Sequence, residues 1–189
     1  MKIGVLALQG DYDAHRRMLE RLGATVSLVK KPEQLDAVEA LVIPGGESST
    51  FLNFLEQAGF LEKLRDFVRT KPTFGTCAGA ILLAKEVSNP PQESLGVLDI
   101  RIRRNAYGRQ SESSIRQATT SLGEGPLEMV FIRAPKIERL GSGVEVLARE
   151  GDNPVLVRQG KTMAATFHPE LSDDTRVHGE FLKMLNGAT

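Results

Sequence analysis

The chain has 189 residues, 41% of them hydrophobic, and its 24 Lys plus Arg balance 24 Asp plus Glu. That length supports one domain with a substantial core, and a zero formal charge supplies no overall field for nucleic acid or an anionic membrane, so a small neutral substrate is expected. A single cysteine excludes an intrachain disulfide framework, and the apolar runs are far too short to span a bilayer, so the expected setting is cytoplasmic.

In chain order, residues 2–8 read as a buried strand that meets Gln9-Gly10-Asp11, which favours a first core strand over a signal peptide. Residues 12–22 follow as an amphipathic helix stopped by Gly23, and 25–29 as the next strand. A short apolar strand at 40–43 ends in Pro44-Gly45-Gly46, helical spacing returns at 49–57 and 61–69, and 72–75 leads into a helix-forming run at 78–85. The pattern then changes: 97–103, 114–120, 129–132, 144–149, 155–159 and 161–166 are strand-like, and 175–185 closes as a helix. Short buried strands alternating with helices indicate a parallel sheet covered on both faces. The expected fold is therefore α/β: a single three-layer doubly wound domain over residues 1–189, with a mostly parallel central sheet and antiparallel additions in the second half.

Cys77 stands in Phe74-Gly75-Thr76-Cys77-Ala78-Gly79, between an apolar run and a helix-forming run, with a glycine two residues away on each side. A strand-to-helix turn of this kind thrusts a nucleophile out at the carboxyl edge of a sheet, and the glycines allow the strand and helix backbones to approach. The following helix would aim its N–H groups and positive end toward the sulfur, an environment suited to a thiolate. A lone cysteine is by default a small buried hydrophobe; here the flanking glycines and a distant histidine reverse that reading. That histidine lies in Phe167-His168-Pro169-Glu170, where His168 and Glu170 share one face of an extended segment stiffened by Pro169. Glu170 can hold the imidazole in one tautomer, giving a Cys77, His168, Glu170 relay.

His15 and His178 fall in helical segments without comparable companions and are expected at the surface or a boundary. Gly45-Gly46 could present N–H groups to a ligand and, with the N–H of Ala78, bind an oxyanion; the plainer alternative is a turn with Ser48 or Ser49 capping the next helix. Four arginines in the nine residues 101–109 could clamp a carboxylate, although strand alternation puts Arg101 and Arg103 on one face, where they are expected to be solvated.

With these motifs the chain resembles the class I glutamine amidotransferases, marked by a Gly-x-Cys-x-Gly elbow and a downstream His-Pro-Glu. More narrowly it resembles the glutaminase subunits of pyridoxal 5′-phosphate synthase, the PdxT/SNO family, through Leu8-Gln9-Gly10, residues 31–35 and 44–48, Arg104-Asn105, Gly108-Arg109-Gln110, Phe131-Ile132-Arg133-Ala134-Pro135 and residues 167–171. The resemblance implies Cys77 as nucleophile, His168 as general base and acid and Glu170 as its orienting partner. It implies that Gly46, Glu47 and Ser48 contact L-glutamine and help form the oxyanion site, with Arg104, Ile132 and Arg133 at the amino-acid end. No metal or organic cofactor is required, and the ammonia is expected to pass to a (β/α)₈-barrel synthase subunit in a large hetero-oligomer. A glutaminase subunit of another amidotransferase, or a cysteine hydrolase of the DJ-1/PfpI type, remains the alternative.

Overall fold

The computed structural model describes residues 1–106 and 114–187. Tyr107, and the Gly108-Arg109-Gln110 portion of the expected arginine segment, lie outside the described residues. In chain order the elements are β1 (Lys2–Leu6), α1 (Tyr12–Arg21), β2 (Thr25–Val29), a 3₁₀ turn (Pro32–Ala37), β3 (Ala40–Ile43), α2 (Ser48–Gln57), α3 (Leu61–Thr70) and β4 (Thr73–Thr76). They continue with α4 (Ala78–Leu83), β5 (Ala84–Ser88), β6 (Leu98–Arg103), β7 (Ser114–Thr120), β8 (Leu127–Phe131), β9 (Lys136–Leu140), β10 (Glu145–Glu150), β11 (Asn153–Gln159) and β12 (Thr162–Ala165). A second 3₁₀ turn (Pro169–Leu171) and α5 (Arg176–Asn186) complete them.

Among the described residues the main sheet has nine strands in the order β2-β1-β3-β4-β12-β11-β10-β7-β8. The half from β2 to β12 is parallel, and from β12 to β8 every pair is antiparallel. Period-two alternation sends the side chains of the parallel strands into two cores: Leu41 and Ile43 pack with Phe51, Leu55, Phe60 and Leu64 of the α2–α3 layer, while Ala40 and Val42 pack with Leu19 of α1 and Phe181 of α5. Complete burial of large side chains such as Phe51, Phe60, Phe74 and Phe181 contributes roughly 1.5–3 kcal/mol each. Helices on both faces of one sheet give the expected three layers. Among the described residues no helix is long and apolar enough to cross a membrane.

Two local expectations are corrected. The run at 78–85 does not stay helical: α4 ends at Leu83 because the carbonyls of Leu82 and Leu83 accept from the N–H groups of Leu95 and Val97, at 2.6 and 3.1 Å, and the chain turns outward as β5. Strands β5 and β9, not anticipated, flank β6 in a separate three-stranded sheet rather than extending the main one. Their mixture of charged and half-buried side chains hides the period-two signal, since only one side of this small sheet meets the core.

Strands β1, β3, β4 and β12 run parallel, so their carboxyl ends, followed by Gln9, Gly45, Cys77 and His168, open on one edge. Close packing there depends on glycine: a methyl group on Gly75 would meet the backbone of Gly79 at 2.6 Å, and one on Gly79 would overlap the carbonyl oxygen of Ile43. Gly79→Ala is expected to destabilise the protein by about 1–3 kcal/mol, whereas Gly179→Ala, in open space within α5, should be neutral or stabilising by roughly 0.5–1 kcal/mol. Urea unfolding of the two variants checks the contrast.

Candidate active site

Strand β4 runs straight into α4 with Cys77 as the joint, and the joint is strained: Cys77 has φ 50° and ψ −105°. For a residue with a β-carbon such a backbone costs on the order of 1–3 kcal/mol and persists because both sides are anchored. The Cys77 N–H donates to the Ala165 carbonyl at 2.9 Å and the Cys77 carbonyl accepts from the Ile81 N–H at 3.1 Å. The Ala78 N–H begins the helix and has no acceptor within it.

His168 follows β12, with its N–H held by the Val130 carbonyl at 2.8 Å, and its imidazole and the Cys77 side chain both pack against Gly45. On the other side Nδ1 meets Glu170 Oε1 at 2.7 Å, which leaves Nε2 for the sulfur. The extended-segment argument predicted this pairing, although Glu170 reaches it from a 3₁₀ turn that begins at Pro169. Burial alone would lower the His168 pKa; hydrogen bonds and charge from Cys77 and Glu170 outweigh it and raise the value to about 10. The shift favours the charged imidazole, a form that can donate a proton.

The loop after β3 passes directly over this group. A β-carbon on Gly45 would lie 2.6 Å from His168 Cε1 and 3.2 Å from Cys77 Cβ, and Gly46 has φ 128° with the Gln9 side chain against it. The alternative of Ser48 or Ser49 as helix cap does not hold. Glu47 caps α2, accepting from the N–H groups of Ser49 and Thr50 at 3.1 and 2.7 Å. Partial burial would raise its pKa, but these N–H donors win and bring it down to about 2. Arg104, at the end of β6, donates to Glu47 Oε1 at 3.1 Å and to Ser49 Oγ at 2.6 Å. It is buried, unlike Arg101 and Arg103, which are exposed as expected and face Glu138. The Ser48 hydroxyl donates to Gln92 Oε1 at 3.0 Å.

These residues surround a cavity of about 450 Å³, a size suited to a small molecule. Gly46, Glu47, Ser48, Cys77, Arg104, Ile132, Arg133 and His168 all line it; Glu170 stands behind His168, and Ala78 is buried beneath the turn. Gly10, Asp11, Ile81 and Asn105 also line the cavity, and the motif reading did not assign them to the site. Gly10, with φ 75° and packed against Gly45, could have been suspected from its place after a buried strand. Among the described residues, ligand atoms of Asp11, His168 and Glu170 lie within 4.8 Å of one another. Two of the three already spend their donor atoms on each other, so the group reads as the His168 network with a carboxylate at its rim.

His15 and His178 are not at the surface: both are fully buried, one on α1 and one on α5, behind Glu170. Helical spacing carried a signal for this. His15 is in phase with Met18 and Leu19, and His178 with Phe181 and Leu185, the buried stripes of their helices.

The model of the SNO glutamine amidotransferase family matches residues 5–187. A pyridoxal 5′-phosphate synthase subunit PdxT of Koribacter versatilis is 69% identical over 98% of this chain and 96% of its own length. The subunit of the same description from Thermosipho africanus is 52% identical over 98% and 99%. A solved structure described as a glutamine amidotransferase superposes with a TM-score of 0.89 at 49% identity, covering 97% of this chain and 98% of the other.

The raised His168 pKa has a consequence for stability. A group held above its unfolded value of 6.5, here at about 10, stabilises the fold fully below 6.5 and loses that contribution as pH rises through 10. The unfolding free energy of the wild type relative to His168→Asn should therefore shrink between these two pH values. Urea titrations at several pH values check this, and a difference that grows with pH would contradict it.

Proposed function

The chain belongs to the SNO glutamine amidotransferase family, and on that premise we propose that it is the glutaminase subunit of a pyridoxal 5′-phosphate synthase, with Cys77 as its nucleophile. The observation that carries the reading is the strained Cys77 turn facing a His168 imidazole anchored to Glu170 at 2.7 Å, at the floor of a cavity of small-molecule size. Residues 1–189 form one catalytic domain in this reading.

The Cys77 thiolate attacks the side-chain amide carbon of L-glutamine, and the carbonyl π pair moves to oxygen. The N–H groups of Gly46 and Ala78 bind that oxyanion. Collapse expels the amine, which takes a proton from the His168 imidazolium and leaves as ammonia, giving a glutamyl thioester. Water then attacks the thioester while His168 accepts its proton; the C–S bond breaks, glutamate departs and the thiolate returns. Glu170 keeps the imidazole in register throughout. No metal or organic cofactor is needed for any of these steps.

At the amino-acid end, Arg133 supplies a cation for the α-carboxylate and Ile132 a wall, while Arg104 acts chiefly by holding Glu47 against the substrate. Ser48, turned toward Gln92, contributes through its backbone. The ammonia passes to a (β/α)₈-barrel synthase subunit in a hetero-oligomer, in the cytoplasm, where the lone thiol stays reduced.

Cys77→Ala should abolish ammonia release from glutamine without unfolding the protein, since a small residue fits the turn, and an electrophilic glutamine analogue should label Cys77 alone. Glu170→Gln should lose less than His168→Asn, because triad members act as a unit and the base survives. Steady-state ammonia release, with the synthase subunit added, measures all three. Retained activity in Cys77→Ala would overturn the mechanism.

A further inference from the structure

The triad carboxylate is only half accounted for. Glu170 Oε1 holds His168, whereas Oε2 is fully buried and, among the described residues, has no hydrogen-bond partner of good geometry. A buried carboxylate oxygen without a donor is costly. The group beside it is His15, whose Nε2 lies 3.3 Å from Oε2 and 3.2 Å from the hydroxyl oxygen of Thr76, the residue just before Cys77. On its far side His15 Nδ1 meets His178 Nε2 at 2.9 Å, and His178 Nδ1 is buried without a partner among the described residues.

Proton bookkeeping selects one arrangement. Burial lowers the pKa of His15 well below its ordinary value, helped by the charges of His178 and His168, and burial brings His178 to about 3. Each neutral ring then carries a single N–H. If His15 held its proton on Nδ1, its Nε2 lone pair would face the acceptor oxygen of Glu170, and His178 would be left with an unpaired buried N–H on Nδ1. With the proton on His15 Nε2, that N–H donates to Thr76 Oγ1 and sets its positive end beside Glu170 Oε2, 3.3 Å from the nitrogen, and His15 Nδ1 accepts from His178 Nε2–H. The unpaired atom becomes a His178 lone pair, which is cheaper to bury than an unpaired donor. Phe74 encloses the pair edge-on, with ring centroids 6.3 Å from His15 and 5.8 Å from His178.

The geometry points to His15, locked by His178 as its Nε2–H tautomer, as a positioning residue that fixes Glu170 from behind and so sets the orientation of His168. The inference rests on the triad reading above. It extends the chain of polar contacts from the active-site cavity through the sheet edge to the α1–α5 contact, so that the two helices on the face away from α2–α4 take part in holding the base.

Two measurements on the full chain test it. Nitrogen-15 NMR of the histidine rings reports the tautomer without any need for turnover; His15 should carry its proton on Nε2 and His178 on Nε2, and a His15 proton on Nδ1 overturns the inference. The second is a double-mutant cycle on glutamine hydrolysis with the synthase subunit present. His15→Leu should lower kcat roughly 10- to 100-fold with KM little changed, as loss of a hydrogen bond to a charged group would. His15→Gln, which keeps an N–H at the far end of the side chain, should recover most of that loss. In a Glu170→Ala background, His15→Leu should cost no more than about twofold, because the group it positions is gone. An equal cost in both backgrounds would make His15 a packing residue and overturn the inference. If the wild type itself releases no ammonia, the triad reading has failed, and the NMR result still decides the tautomer.

Discussion

The close approach of four chain segments at one sheet edge is the constraint on which the rest of the structure depends. Gly79 packs on the Ile43 carbonyl, Gly75 on Gly79, Gly45 on both Cys77 and His168, and Gly10 on Gly45. A β-carbon at any of these positions would push apart strands whose ends must meet. Glycine costs conformational entropy in the unfolded chain, and here that cost is accepted so that the sulfur, the imidazole and the backbone N–H groups share one small volume. Strain at Cys77 has the same origin. The turn is held by β4, β12 and α4 together, and no single element would keep a non-glycine residue at φ 50°.

Behind that edge the protein buries a polar chain, from His168 through Glu170 and His15 to His178, with the Thr76 hydroxyl beside it and Phe74 and Phe181 packed around it. Low dielectric raises the stakes of such a chain, since each satisfied member stiffens its neighbours and each orphan is costly. Charge is concentrated at the cavity end, where His168 is held protonated between Cys77 and Glu170, while the two inner histidines stay neutral because nothing beside them favours a cation enough to offset burial. The gradient from charged to neutral runs with depth, as desolvation demands.

The two halves of the chain divide the work. Parallel strands β1, β3, β4 and β12 bring together Gly45, Cys77 and His168, because parallel strands put all their carboxyl ends on one side. The antiparallel and accessory strands frame the other wall: Arg104 directly follows β6, and Ile132 and Arg133 directly follow β8. Arg104 then ties the small sheet to the α2 cap through Glu47 and Ser49, a cross-link between the halves at the mouth of the site.

The sequence by itself determined the parallel half of the fold and singled out Cys77, His168 and Glu170 as candidates, because both are written locally. Runs such as 40–43 are too apolar to lie outside a two-sided sheet, and Gly75-Thr76-Cys77-Ala78-Gly79 and His168-Pro169-Glu170 carry their geometry in adjacent residues. Family resemblance singled out Glu47, Ile132 and Arg133 and sharpened the residue reading of Gly46 and Arg104, and all five line the cavity. Only the tertiary structure decided the rest. The end of α4 depends on N–H groups of Leu95 and Val97 that arrive from a distant loop, and the small sheet depends on β9 finding β6. That Glu47 rather than a serine caps α2, and that Arg104, remote in sequence, pairs with that cap, is seen only in the fold. His15 and His178 sit on buried helical stripes that the sequence displays, but a histidine on an apolar stripe has no visible purpose until α1 and α5 cross behind Glu170. Burial, hydrogen-bond partner and tautomer are properties of that meeting, and no segment of chain carries them alone.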